Sequence, residues 1–154
     1  MANFESNHWK PLPKITEATR AIIQSLSGGK PLEQLPERCS LKPPGTAEWV
    51  AHLDRARHGS FQVVIALTQT TFIVWPGSHL HKISRGTTKR GYYQLTKAEK
   101  AELEKAGHGR LAVPAEAGDV LIMLGGLCVH SSPGVGANEV ERIATYAHWV
   151  LKAD

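Results

Sequence analysis

The stretch that decides the fold is FQVVIAL at residues 61–67, followed after two polar positions by TTFIVW at residues 70–75 and closed by Pro76-Gly77. Both runs are rich in β-branched and aromatic residues, short, and bounded by turn chemistry, which is the pattern of strands. Outward from them, similar runs appear at 47–53 (AEWVAHL), 110–113, 119–124, 127–131 and 140–150. Pro114, Gly118, Gly125-Gly126 and Pro133-Gly134 separate the later ones. Two segments break the pattern. Ile15, Ala18, Ile22, Ile23 and Leu26 recur at helical spacing before Gly28-Gly29, and KAEKAELEKA at 97–106 follows the capping-box sequence Thr96-Lys97-Ala98-Glu99. Between the first helix and the strands, Pro31, Pro36, Pro43, Pro44 and Gly45 exclude regular helix or central strand. Seven or eight short strands with helices pushed outward predict an all-β sandwich or barrel. The expected organisation is one domain over 1–154, with 1–45 an N-terminal helix and Pro-rich approach and 46–154 the β core.

Composition agrees. The chain has 154 residues, of which 42% are hydrophobic and 21% charged, enough apolar material for one core and too balanced for disorder or coiled coil. No apolar run approaches the length of a membrane span, and residues 1–10 (MANFESNHWK) carry no secretory signature, so a cytoplasmic, membrane-free setting is expected. Cys39 and Cys128 show no CxxC spacing and read as reduced thiols. The net charge of +4 is uneven, because residues 79–110 hold 8 basic against 3 acidic groups. Within that segment Lys82, Arg85, Lys89 and Arg90 follow the Pro76-Gly77 turn with no acidic residue among them. They suit a lid that attracts an anionic small-molecule substrate, or simply a solvated loop.

Eight histidines raise the question of which converge. In a strand, positions i and i+2 share a face, so His52 and Asp54 of His52-Leu53-Asp54 point the same way. That supplies two members of a facial metal triad. The best third member is His130, in the apolar run Leu127-Cys128-Val129-His130, where an imidazole needs partners for its nitrogens. Two imidazoles and one carboxylate leave three open positions, the arrangement of non-haem Fe(II) oxygenases. Taken alone, the His-x-Asp tripeptide also fits an exposed strand end. Arg142 lies twelve residues beyond His130 in a largely apolar run with no obvious acidic partner. A dicarboxylate held bidentately would satisfy it, unless it faces solvent beside Glu141.

The order His52-x-Asp54, His130, Arg142 resembles the 2-oxoglutarate/Fe(II)-dependent oxygenases. Trp75-Pro76-Gly77-Ser78-His79, Ala117-Gly118-Asp119 and His130-Ser131-Ser132-Pro133-Gly134 look like the phytanoyl-CoA dioxygenase branch, and the resemblance spans roughly residues 41–150. It implies a double-stranded β-helix (jelly-roll, cupin-like barrel) with an N-terminal helix and a helical insertion. It implies that His52, Asp54 and His130 hold Fe(II), and that Arg142 grips the distal carboxylate of 2-oxoglutarate with Ser132 as a hydroxyl donor. His79 and His81 are left out of the metal site, since the family's histidine there is a turn residue. Strand parity places Tyr146 and His148 on the Arg142 face and Trp149 on the other, so Tyr146 is a candidate pocket residue. Lys42 can reach the cosubstrate from before the first core strand, although a surface lysine is the simpler expectation. About forty residues precede the expected barrel, so acyl-CoA substrates do not carry over, and the presence of Asp54 argues against the halogenating variants. The implied activity is C–H hydroxylation with release of succinate and CO2. Its rivals are a cupin-like binding protein without turnover and a nucleic-acid-modifying oxygenase, the latter unsupported by any nucleic-acid motif.

Overall fold

The computed structural model describes residues 17–36, 38–54, 60–81, 83 and 92–151. Helix α1 (Glu17–Leu26) stops where Gly28 and Gly29 adopt φ of 66° and 76°, values that cost other residues strain. Thr19 and Ile23, one turn apart, are its buried residues, whereas Ala18, Ile22 and Leu26 of the expected apolar stripe are exposed. Ile15 lies outside the described residues.

The strands are β1 (Leu32–Gln34), β2 (Arg38–Lys42), β3 (His52–Asp54), β4 (Phe61–Ala66), β5 (Thr70–Val74), β6 (Tyr92–Gln94), β7 (Leu111–Ala115), β8 (Val120–Leu124), β9 (His130–Ser131) and β10 (Arg142–Leu151). Helix α2 (Lys97–Lys105) separates β6 from β7. Among the described residues every pairing is antiparallel. One sheet runs β1-β10-β4-β8 with β2 also on β10, and the other runs β6-β3-β9-β5-β7. The long β10 takes β4 along one edge, while β2 and β1 pair in tandem with residues 142–146 and 149–151. Among the described residues β-structure begins at Leu32, inside the Pro-rich approach, and β1 and β2 each pair with β10 alone, so neither is a central strand. Edge strands need one partner only, so Pro31 and Pro36 flank them without breaking a ladder. Pro114 is tolerated in β7 for the same reason, since β7 is the outer strand of its sheet.

Each sheet has an outward face covered by a helix. On the first, Phe61, Val63, Ile65, Ala147 and Trp149 form a buried cluster with Ile23 of α1. On the second, Leu53, Ile73, Trp75 and Val129 cluster with Leu95 and with Leu103 of α2. The charged α2 is thus anchored by a leucine only 2% exposed. Its start is fixed as the sequence predicts. The Glu99 N–H donates to Thr96 Oγ1 at 3.2 Å, and the Thr96 N–H donates to Glu99 Oε2 at 2.9 Å. The opposite faces of the two sheets turn toward each other, giving a jelly-roll-like sandwich whose interior is unusually polar. Cys39 and Cys128 are free thiols. Among the described residues, no helix is long and apolar enough to cross a membrane.

Candidate metal and anion site between the sheets

Leu53 faces the outer cluster, so its neighbours His52 and Asp54 project inward from the same strand. β9 pairs beside β3 with His52 directly opposite His130, and the two rings lie 4.3 Å apart. The Pro76-Gly77-Ser78 turn holds β9 in place. Ser78 is fully buried and its Oγ accepts the Val129 N–H at 2.9 Å, while the Trp75 N–H donates to Val129 O at 2.9 Å. Gly77, with φ 79°, is required there because a Cβ would meet the His108 ring 2.2 Å away. His79 is exposed and His81 stacks edge-on with His108, so neither joins the inner cluster.

One nitrogen of His52, one of His130 and a carboxylate oxygen of Asp54 all lie within 4.8 Å of one another. His52 and His130 are each 8% exposed. Their outer nitrogens are committed, since His52 Nδ1 donates to Val50 O at 2.7 Å and His130 Nδ1 donates to Cys128 O at 3.0 Å. A carbonyl accepts only, so in the neutral rings both Nε2 lone pairs face the carboxylate. Burial lowers the His130 pKa and outweighs the pull of Asp54, which keeps that ring neutral and able to ligate. Burial alone would raise the Asp54 carboxyl. The hydrogen bond from His148, with the His52 and His130 imidazoles close by, outweighs it and holds the group well below the usual carboxylate range. Two imidazole lone pairs converging on an ionised carboxylate fit a divalent first-row metal.

His148 was placed on the right face by parity but not in the site. It reaches across from β10 and its Nε2 lies 3.2 Å from Asp54 Oδ2. Tyr92 was also missed. It pairs with Asp54 in β6 and its ring stands 5.2 Å from that of His52, with Trp49 behind it at 5.8 Å. Gln62, opposite His148 in the ladder, is buried, and its Oε1 has no hydrogen-bond partner among the described residues. Nothing in a lone sequence marks these three, because each acquires its role from a neighbouring strand.

Arg142 and Lys42 face each other across the β2–β10 ladder. The Lys42 Nζ donates to Ser132 O and Pro133 O, both at 3.1 Å, and Arg142 Nη1 donates to Pro133 O at 3.2 Å. Lys42 is only 8% exposed, which corrects the expectation of a surface lysine. Burial, then the adjacent Arg142 charge, lowers its pKa to about 8. Arg142 is also not without an acid. Glu139 Oε2 lies 3.6 Å from Nη2, but that carboxylate is 59% exposed and already accepts the Gly136 N–H. Glu139 pairs with Arg142 alone, Glu48 acts on Lys42 only through its charge, and the two inward cations otherwise meet two carbonyls, which suits a bound anion. Ser132 meets this pair through its carbonyl, which also accepts the Trp49 N–H at 2.8 Å. Tyr146 lies on the same face, with its ring 6.4 Å from that of His148. Among the four basic residues of the expected lid, Lys82, Arg85, Lys89 and Arg90, all lie outside the described residues.

No protein-family model and no curated protein sequence matches the chain. Solved structures do. The epimerase SnoN, in complex with Fe3+, alpha ketoglutarate and nogalamycin RO, superposes with TM-score 0.66 at 20% identity, over 84% of this chain and 54% of that one. EctD from S. alaskensis, with 2-oxoglutarate and 5-hydroxyectoine, gives 0.65 at 19% identity, over 88% and 50%. AviO1 from Streptomyces viridochromogenes Tue57 gives 0.65 at 24% identity, over 96% and 64%. The chain therefore spans about half to two thirds of the length of these proteins. At such identities the likeness is one of fold.

Proposed function

We propose that this chain is an Fe(II)- and 2-oxoglutarate-dependent oxygenase built on a double-stranded β-helix, acting in the cytoplasm on a small molecule. The observation that carries the reading is the convergence of His52, Asp54 and His130 on one inward point, with an Arg142–Lys42 cation pair on the same interior. Structural neighbours crystallised with iron and 2-oxoglutarate support it. The His-x-Asp and Pro76-Gly77-Ser78-His79 features favour the phytanoyl-CoA dioxygenase-like branch.

In this reading the two Nε2 lone pairs and the Asp54 carboxylate hold the metal, and the Nδ1 hydrogen bonds to Val50 and Cys128 keep both rings aimed. Arg142 and Lys42 hold the distal carboxylate of 2-oxoglutarate, with the Ser132 hydroxyl beside them. With the metal bound, the chemistry supplied is oxidation of a C–H bond to an alcohol by dioxygen, coupled to conversion of 2-oxoglutarate to succinate and CO2. The chain's own work is orientation and exclusion of water. The outer clusters seal the sheets, and Tyr92 and Trp49 form an aromatic wall beside His52 where a substrate can lie.

The test is metal content and succinate release. The wild-type protein binds one Fe(II), or Mn(II) or Co(II) in its place, and converts 2-oxoglutarate to succinate over a panel of small acids. His130→Ala loses the metal, because two remaining ligands compete poorly with water. Equal metal content in the two proteins sinks the triad. Metal and 2-oxoglutarate binding without succinate under any condition would instead identify a binding protein on the same scaffold.

A further inference from the structure

Among the described residues three imidazoles surround Asp54, and their hydrogen bonds sort them into two kinds. His52 and His130 give their Nδ1 protons to backbone carbonyls and stand with Nε2 3.6 Å from Asp54 oxygens, beyond hydrogen-bond distance. His148 does the reverse. Its Nε2 is 3.2 Å from Asp54 Oδ2, and since a carboxylate accepts only, the proton sits on Nε2. A nitrogen that carries a proton into a hydrogen bond has no lone pair for a metal. His148 also comes from the other sheet, on β10, whereas the other three residues lie on β3 and β9.

We propose that His148 is a positioning residue, which ties up Oδ2 of Asp54, the oxygen nearest His130, from the opposite sheet and so leaves Oδ1, the oxygen 3.6 Å from His52 Nε2, as the one offered to a metal. The inference rests on the metal reading above and deepens it. With Oδ2 occupied, the carboxylate contributes one oxygen and three coordination positions stay open for cosubstrate and oxygen. Without His148 the carboxylate is free to turn and take a second position. His148 stands six residues from Arg142 on the same face of the same strand, so one length of backbone sets both the carboxylate and the anion grip.

The experiment measures Mn(II) and Co(II) affinity by calorimetry on the metal-free full chain, with the melting temperature of each protein alongside. The forms compared are wild type, His148→Ala, His148→Gln and His130→Ala. His148→Ala should weaken metal binding by roughly 10–100-fold, the usual cost of losing a hydrogen-bond partner of a ligand. His148→Gln, which offers an amide N–H but no basic lone pair, should recover most of that loss, while His130→Ala binds no metal. A purely structural role would lower the melting temperature without moving the affinity of the folded protein. Wild-type affinity in folded His148→Ala overturns the proposal and leaves the triad standing. Loss as complete in His148→Gln as in His130→Ala would make His148 a ligand and overturns it as well. If His148→Ala fails to fold, His148→Gln decides, with near-wild-type affinity supporting the proposal and abolished binding refuting it. Absence of metal binding by wild type removes the functional reading itself, and this inference with it.

Discussion

The two faces of β10 do opposite kinds of work. Its odd-numbered residues Ile143, Thr145, Ala147 and Trp149 are all buried on the outer side, where Ala147 and Trp149 join the cluster beneath α1. Its even-numbered residues Arg142, Tyr146 and His148 turn inward, where Arg142 and His148 make specific polar contacts and the Tyr146 ring stands edge-on to His148. The outer face stabilises by area, at about 25 cal/mol for each Å² of apolar surface removed from water, so its residues matter through volume and fit. The inner face holds charge in a confined space, which stabilises only when each group is paired, so its residues matter through chemistry. A sandwich whose core were only the space between its sheets could not accommodate such an interior. Here α1 and α2 move much of the apolar burial to the outside and leave the middle free for the site.

The sharpest way to break this contrast is Trp149→Ala. Removal of a large aromatic from the outer cluster should cost about 3–5 kcal/mol of stability in denaturant titrations, with metal affinity of the folded fraction unchanged. The Trp149 indole N–H is buried without a hydrogen-bond partner among the described residues, and Arg20 lies over the ring at 5.6 Å. Trp149→Phe should therefore lose far less than the alanine variant. A large change in metal affinity from Trp149→Phe would show that the faces are not separable.

The inward counterpart is Arg142→Ala. It should weaken 2-oxoglutarate binding by an amount corresponding to about 1.5–3 kcal/mol, the range for a charge-assisted contact, while metal affinity and melting temperature stay near wild type. Arg142→Lys should restore part of it, because an ammonium lacks the planar fork. Unchanged 2-oxoglutarate affinity in both variants would remove the cosubstrate from this end of the interior.

Lys42→Met probes the cost of the second buried cation. Because the folded pKa of Lys42 is lowered to about 8, the unfolded chain binds more protons between that value and the ordinary lysine range. Wild-type stability should therefore rise as pH climbs through that window, and the methionine variant should lack the rise. At pH 7 the variant should be more stable by about 1–2 kcal/mol, since Ser132 O and Pro133 O keep the Trp49 and Arg142 donors. It should also bind 2-oxoglutarate more weakly. A variant less stable than wild type at pH 7 would mean that the hydrogen bonds of Lys42 outweigh its desolvation.

The sequence alone determined what depends on near neighbours in the chain. β-Branched content and turn residues marked β4 and β5, and alternation placed His52 with Asp54 and separated Arg142, Tyr146 and His148 from Trp149. Capping chemistry fixed the start of α2. Local pattern also overreached. Seven residues at 47–53 read as strand, yet only His52–Asp54 is paired, because a ladder requires a partner of matching length and β6 and β9 are short. Only the tertiary structure decided the rest. It made Leu32–Gln34 and Arg38–Lys42 into edge strands despite their prolines, buried Lys42 beside Arg142, and brought Glu139 to the guanidinium. It turned His148 from a residue on the correct face into the group that holds Asp54. The physical reason is that periodicity tells which residues share a face, whereas the distance across the interior between two faces is set by how the sheets pack.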